Sequence, residues 1–579
     1  MGALFGFLGP RDDGLAARMA EALAHRGRRV VVETQAGCTI GVRVRDDRAY
    51  PALLTTGVVR DGDDVLAFAG HLVGEAPAAG LAPLLRRQPI EQQVHGAFAL
   101  ARFDGHTLTL ARDGVGVRTL YWARFDGRVL FASEPKAILA APGFPRRLRP
   151  AALAQYLTFS FVPGEGTMLE GVHELLPGQA LCFDGDAAPR STRFFHFEDD
   201  APAVDAPPTQ SDEAWVETFR RTLFDAIEER LPPSGEPIGV FLSGGIDSSV
   251  VTAALAAVRP GQVRTFSIHF GAKYPHELDF ARAVATQAGT THEEFLIEPK
   301  GFLPRLRRII WHLDDPIGDP ITVPNFELAS HVARGLTTVF NGEGGDPVFG
   351  GPKNLPMLLS HFYGGIERGP RFREQAYLAS YRRGYEELER LLTPEVRAQI
   401  EPERDLEAVL TPYLHAQQPP RFLDKLIALN IRVKGAHLIL PKVERMTGAA
   451  GLTAFSPFFD ERMVRLSPAL PPHLKLAAGV EKVVMKRAFA GLVPDVVIQR
   501  PKSGMRVPVH HWFQGEMRRY AKHLLEPKRL KRHGLWDPER VKRLLAYDTE
   551  EANGRYGIRL WMLLTFETWR SIVIDGEAP

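Results

Sequence analysis

Residues Ile238 to Ser249 read IGVFLSGGIDSS and run on into VVTAALAAV, residues 250–258. Gly239, Val240, Phe241 and Leu242 are the small and apolar residues of a buried parallel strand. A turn of Ser243, Gly244, Gly245 and Asp247 follows, closed by Ser248 and Ser249. The alanine-rich run behind it has no breaker before Pro260, which predicts a helix. A strand that feeds a glycine turn at a helix N-terminus can hold an anion. Glycine lets the backbone approach an oxyanion, and the first-turn N–H groups and the helix dipole favour negative charge there. The turn is not the GxxxxGK[ST] loop, because no lysine follows the glycines.

Downstream, residues 263–270 (VRTFSIHF) predict a second buried strand, His276 to Asp279 leads into a helix, and residues 292–297 predict a third strand. A further strand at 337–340 ends in Asn341-Gly342-Glu343-Gly344-Gly345-Asp346, a second glycine-rich loop carrying two carboxylates. Strands and helices alternating at this spacing predict a doubly wound parallel sheet, with its ligand at the carboxyl ends of the strands.

The first two hundred residues have a different texture. Short β-like runs at 3–8, 30–33, 65–69, 97–103, 107–111, 119–123 and 129–132 are separated by polar turns. Two of the turns are Asp104-Gly105 and Asp126-Gly127, the signature of tight hairpins. One helix is expected at 13–24, which gives an α+β layered domain. Residues 199–212 (DDAPAVDAPPTQSD) are proline-, alanine- and acid-rich and read as a linker. The expected organisation is therefore a domain at 1–198, a linker at 199–212 and a larger domain at 213–579. That larger domain opens on an amphipathic helix carrying Trp215, Phe219, Leu223 and Ile227.

The 579 residues carry 71 basic and 69 acidic side chains, a net charge of +2, so no general nucleic-acid surface is expected. The two cysteines, Cys38 and Cys182, are far apart, suit a reducing compartment and exclude a disulfide framework or thiolate zinc cluster. No run of eighteen apolar residues occurs, and Arg11, Asp12, Asp13 and Arg18 interrupt the first twenty. Neither a membrane span nor a secretory signal is expected, and a cytoplasmic protein is. His25, His71 and His95 match no metal-ligand spacing.

The SGGIDS turn resembles the pyrophosphate loop of the N-type ATP pyrophosphatases, which cleave ATP between its α and β phosphates. The resemblance widens along the chain to the asparagine synthetase family. Asp315-Pro316 with Asp319-Pro320, the GEGGD loop with Phe349-Gly350-Gly351, Lys442-Val443-Glu444-Arg445, Ser456-Pro457-Phe458-Phe459-Asp460, Glu481-Lys482 with Lys486, and Arg500-Pro501-Lys502-Ser503-Gly504 stand in that family's motif order. The segment LARDGVGVRTLYWARFDGRVLFASEPKAIL, residues 110–139, resembles the family's N-terminal glutaminase domain. The implied fold is an Ntn-hydrolase-like α+β domain followed by an ATP-pyrophosphatase-like doubly wound domain with many helices.

The resemblance implies an ATP-dependent, AMP-forming amide synthesis: a carboxylate becomes an acyl-adenylate, and ammonia or an amine displaces AMP. Leu242, Ser243, Gly244, Gly245, Asp247, Ser248, Ser267, Gly342 and Lys482 are the expected ATP and pyrophosphate contacts. Asp247 and Asp346 are the expected Mg²⁺ ligands, since Mg²⁺ takes one or two carboxylates together with phosphate oxygens. Lys502 resembles the family's catalytic lysine, and Glu343 its loop glutamate, a general base for the amine or an organiser of the adenylate. Arg500 is a weaker phosphate candidate.

The front domain departs from its family. There the chain begins Met-Cys-Gly, and the cysteine is the N-terminal nucleophile. Here position 2 is Gly2, followed by Ala3, Leu4 and Phe5. His25-Arg26-Gly27 keeps the start of HRGPD, but Arg28 and Arg29 replace its proline and aspartate. Gly70-His71-Leu72 stands for the family's asparagine-glycine pair, and His95 for its glutamine-gripping acid. A degenerate glutaminase is expected.

EARVPFLD of the family appears here as Thr453-Ala454-Phe455-Ser456-Pro457-Phe458-Phe459-Asp460. If Thr453, Phe455 and Gly344 line the acceptor pocket, that pocket is less charged and bulkier than one made for aspartate. The substrates expected are a small-molecule or peptide carboxylate and ammonia or an amine, with a homodimer left open. Tailoring chemistry in a biosynthetic pathway, asparagine formation from aspartate and a non-catalytic nucleotide-binding scaffold remain as alternatives.

Overall fold

A computed structural model describes residues 2–579 apart from 36, 46–49, 75–80, 87–88, 186, 208, 352–353, 365–368, 381–389, 502–503 and 547–555. In the N-terminal half, two six-stranded antiparallel sheets lie face to face. Strand alternation divides the side chains between layers. Leu4 of Ala3–Leu8 enters the core between the sheets, whereas Ala3, Phe5 and Phe7 face the helices on the other side. Along Asp64–Val73, Val65, Ala67 and Ala69 join that inter-sheet core while Leu66, Phe68 and Leu72 face outward to a smaller cluster.

The predicted runs all fall within observed strands or at their edges, and the helix is Asp13–Ala22. Strands Cys38–Val44, Leu53–Asp61, Gln179–Phe183 and Arg190–Arg193 were not foreseen. The first of these carries Gly41 in mid-strand, which weakens its apolar pattern. The gap is filled by the ring of Phe5, whose Cζ lies 2.4 Å from where a Cβ on Gly41 would sit. At the Asp126-Gly127 hairpin both residues take positive φ, 51° and 66°, the demand of a type I′ turn.

The C-terminal half is built on a five-stranded parallel sheet. Its spatial order is Thr291–Leu296, Val263–His269, Ile238–Phe241, Thr338–Asn341 and Thr453–Phe455. The strand order reverses next to Ile238–Phe241, so the crevice beyond the carboxyl ends of Ile238–Phe241 and Thr338–Asn341 is the natural ligand position. The Ile246–Val258 helix follows directly, N-capped at Gly245. Helix Asp212–Glu228 buries Trp215, Phe219, Leu223, Ala226 and Ile227, and Ser211 caps it by accepting from the N–H of Ala214.

A long rod joins the halves. It runs as helix Phe422–Leu429, continues through a π-helical segment, Asn430–Ile439, and ends in helix Leu440–Ala450. The wider π turns are rare and favour functional sites. Here they turn Arg432 onto Glu198 and the carbonyls of Gly114, Pro177 and Phe195 in the N-terminal half, while Lys434 lines the crevice of the C-terminal half. Among the described residues no helix is long and apolar enough to cross a membrane.

Candidate active site

The crevice beyond the parallel strands holds a cavity of about 340 Å³. At one end lies the Ser243–Ser248 turn. The hydroxyls of Ser243 and Ser248 are 3.0 Å apart, the Ser243 N–H donates to Ser248 Oγ at 3.1 Å, and Ser249 Oγ donates to the Gly245 carbonyl at 2.8 Å. These bonds tie the turn to the helix start, where the dipole adds positive potential. The second glycine loop packs directly on it. A Cβ on Gly342 would lie 2.4 Å from the Ser248 nitrogen, and one on Gly345 2.2 Å from Asp247 Oδ1. Glycine at both positions brings the two loops into contact.

Asp247 and Asp346 converge on one cation. Lys482 Nζ donates to Asp247 Oδ1 and Oδ2 at 2.6 and 2.7 Å and pairs with Asp346 Oδ1. Lys482 is fully buried and left-handed, with φ 56°, a conformation that costs a non-glycine residue about 1 kcal/mol or more. The ammonium thereby sits against Asp247, in the serine-glycine turn.

At the other end stand Glu343, Asp319, Lys442 and Lys434. Lys442 Nζ donates to Asp319 Oδ2 at 3.0 Å. Burial works to lower the Lys442 pKa, but Asp319 and Glu343 outweigh it and raise the group above the ordinary lysine range. It is therefore a firmly charged ammonium beside Glu343. Ile321, Leu438, Ile439 and Met446 give this end an apolar floor.

The structure thus brings Leu242, Ser243, Gly245, Asp247, Ser248, Gly342, Glu343, Gly344 and Asp346 to one cavity, with Lys482 bonded to two of them. Gly244, with φ 77°, is turned against Glu277 and Ala281. Three expectations differ. Ser267 lies buried in the sheet with its hydroxyl donated to the Leu242 carbonyl, and it does not line the cavity. Thr453 pairs with Thr338 at the sheet edge and lines neither large cavity. Phe455 points away from Glu343, into the boundary with the N-terminal half, where its ring meets Tyr50 and His71 edge-on at 5.6 and 5.3 Å. In each case strand geometry decided the direction, and motif position does not encode it. Arg500 is drawn to Glu277 and the ring of Phe280. Lys502 and Ser503 lie outside the described residues, but the following Gly504 and Met505 line the cavity.

Sequence reading missed Lys434 and Asn341, and noted Asp319 and Lys442 only as motif letters. Lys434 carries no signal, because its direction depends on the π turns. Asn341 did carry one: a polar residue at the carboxyl end of a buried strand, directly before a glycine loop.

A second cavity, about 410 Å³, lies between the halves. Val443 and Thr447 line both cavities, so helix Leu440–Ala450 stands between them. Leu440, Glu444 and Gly448 face the interdomain side, while Lys442 and Met446 face the crevice, each set at helical i, i+4 spacing. The residues that correspond to the glutaminase positions gather at the interdomain side. Gly2 donates its N–H to Thr56 Oγ1 at 3.3 Å and accepts from Arg118. Arg26 is held by Glu134 and Glu444. His95 Nδ1 sits 3.0 Å from Glu461.

The family model described as asparagine synthase matches residues 218–571, more than half of the chain. The chain belongs to the asparagine synthase family. A model described as a glutamine amidotransferase domain matches residues 88–195. Asparagine synthetase [glutamine-hydrolyzing] 1 of Bacillus subtilis is 28% identical over 83% of this chain and 77% of its own length. A putative asparagine synthetase [glutamine-hydrolyzing] of Mycobacterium tuberculosis is 29% identical over 84% of this chain and 78% of its own. An amidase of Penicillium rubens, chyE, is 28% identical over 45% of this chain and 40% of its own. Membership makes this chain an ATP-using carbon–nitrogen ligase that performs asparagine synthetase-like amidation.

Proposed function

We propose that this asparagine synthase family member adenylates a carboxylate with release of pyrophosphate and transfers the acyl group to ammonia or an amine without hydrolysing glutamine. The observation that carries the reading is the convergence of Asp247, Asp346 and Lys482 on the serine-glycine turn, with Glu343 and Lys442 at the far end of the same cavity. The turn and Lys482 hold the departing pyrophosphate. Asp247 and Asp346, the two carboxylates beside that turn, would hold Mg²⁺ together with phosphate oxygens, next to the Lys482 ammonium and not in its place, and the ion when bound would neutralise phosphate charge. Leu242, Gly342 and Gly344 shape the nucleotide and acyl positions, and Lys502 neutralises charge on the reacting phosphate. Glu343 takes a proton from the attacking nitrogen, with Lys442 and Asp319 fixing its surroundings.

Gly2 supports the loss of glutaminase chemistry, since it offers no nucleophile and its Cα is enclosed. The apolar floor of Ile321, Leu438 and Met446 supports a carboxylate with an apolar body, and so a tailoring role. Conversion of aspartate to asparagine is the second reading, favoured by the retained Glu343.

Mass spectrometry for AMP and pyrophosphate, run with a panel of carboxylic acids including L-aspartate and with ammonia or glutamine as nitrogen source, tests the proposal. Acid-dependent AMP formation with ammonia, abolished in Lys502→Ala, is the expected result. Glutamate released in step with turnover would refute the glutamine-independent arm.

A further inference from the structure

Asn341 ends strand Thr338–Asn341 where it enters the second glycine loop, and it is only 4% exposed. Its side-chain Oδ1 accepts from the backbone N–H of Glu343 at 3.0 Å and pairs with the Ser456 hydroxyl at 2.9 Å. A backbone N–H can only donate, so the amide oxygen must face Glu343, and this fixes the NH₂ on the opposite side. That NH₂ is buried and has no hydrogen-bond partner among the described residues, although Asn341 lines the cavity that holds the phosphate turn and Glu343. Buried donors are almost always satisfied, so an orphan on a cavity wall marks a place that a ligand atom completes.

We propose that Asn341 is a catalytic residue, whose side-chain NH₂ donates to the acyl oxygen of the substrate during attack by the amine. The assignment rests on the adenylation reading above. The amine lone pair forms the C–N bond while the carbonyl π pair moves onto oxygen, and the Asn341 NH₂ holds the oxyanion that results. The nitrogen gives its proton to the Glu343 carboxylate. The oxyanion then re-forms C=O, and AMP leaves with the electron pair of its bond to the acyl carbon. Donor and base are next-but-one neighbours on one loop, linked by the 3.0 Å bond from Glu343 N to Asn341 Oδ1. A single loop conformation therefore sets both on the same carbon. Formation of the adenylate is different. There the carboxylate oxygen attacks phosphorus, and no oxyanion develops on the acyl carbon.

The test separates the two half-reactions. Acid-dependent ATP–pyrophosphate exchange reads adenylation, and hydroxamate formation with hydroxylamine reads acyl transfer, using whichever of L-aspartate, phenylacetate or 3-phenylpropionate supports exchange best. Asn341→Asp keeps an oxygen facing Glu343 and Ser456 and puts an acceptor-only carboxylate oxygen where the NH₂ stood. It is expected to lower the kcat of hydroxamate formation about a hundredfold, the loss typical of one oxyanion donor, with exchange and the KM for ATP nearly unchanged. Asn341→Ala removes the same donor without adding charge and decides the matter if the aspartate variant fails to fold. Hydroxamate formation within threefold of the parent in either folded variant overturns the assignment, as does an equal loss of exchange. Absence of exchange with every acid in the parent enzyme refutes the adenylation reading itself, and the assignment with it.

Discussion

Arg26 and Glu444, 418 residues apart in sequence, form a two-pronged ion pair across the boundary between the halves, Nη1 to Oε1 at 2.6 Å and Nη2 to Oε2 at 2.8 Å. Arg118 also donates to Glu444. Glu444→Gln therefore leaves two buried guanidinium groups short of a counter-charge. Breaking one partner of a buried pair costs about 3–5 kcal/mol, so a marked drop in denaturation midpoint is expected by thermal or urea unfolding. An unchanged midpoint would mean that the junction carries little of the stability.

A second junction gives a pH dependence. Burial pushes the Glu198 carboxyl up, but the Arg432 guanidinium, at 2.9 and 3.0 Å from its two oxygens, brings it from 4.5 down to about 2. The folded state then binds fewer protons than the unfolded chain between those values. This contribution is complete above pH 4.5 and is lost as pH falls towards 2. The stability gap between the parent and Glu198→Gln should shrink over that window, which urea titrations at several pH values would measure.

Gly2→Cys is expected to confer no glutamine hydrolysis through position 2. A Cβ at position 2 would lie 2.0 Å from the Arg43 carbonyl oxygen and 2.7 Å from Thr56 Cγ2. Backbone cannot move aside as a flexible side chain would, and overpacking of this kind costs about 1–3 kcal/mol. A glutamate-release assay with a parallel melting curve checks both parts. Robust glutaminase activity in the variant would show that the nucleophile alone had been missing.

Lys482→Met should abolish pyrophosphate release while leaving two carboxylates, Asp247 and Asp346, facing each other without their bridging ammonium. Their mutual repulsion is relieved by a divalent cation. The midpoint of the variant is therefore expected to rise with Mg²⁺ more than that of the parent does, a comparison made by thermal shift with and without the ion.

Glu343→Gln separates base from scaffold. Its backbone N–H, which caps onto Asn341, survives the change, so the loop should keep its form. Acyl transfer to an amine is expected to fall about a hundredfold near neutral pH and to recover partly as pH rises and more of the amine is unprotonated. A pH profile of amide formation with ammonia as the nucleophile measures this. A flat loss at all pH values would assign Glu343 a structural role.

The serine-glycine end of the cavity was legible in the sequence because it is local. Strand, glycine turn and helix start lie within twelve consecutive residues, Ile238 to Ser249, and each obeys its own propensity. At the far end the sequence singled out Glu343 but not its surroundings, because they are assembled from strand ends, a π-helical segment and a helix far apart in the chain. Nothing in the sequence reveals that Lys482 bridges Asp247 and Asp346, or that Lys434 turns towards Asp319. Phe455 illustrates the limit. Its motif position suggested the acceptor pocket, yet the edge strand that carries it presents its ring to Tyr50 and His71 of the other half.

Helix Leu440–Ala450 borders both cavities through the same two residues, Val443 and Thr447. It acts as a party wall: what one household leans against, the other's rooms depend on. A front half that performed no chemistry would still be kept in place by that shared masonry. Substitutions there would register as altered kinetics in the crevice behind it.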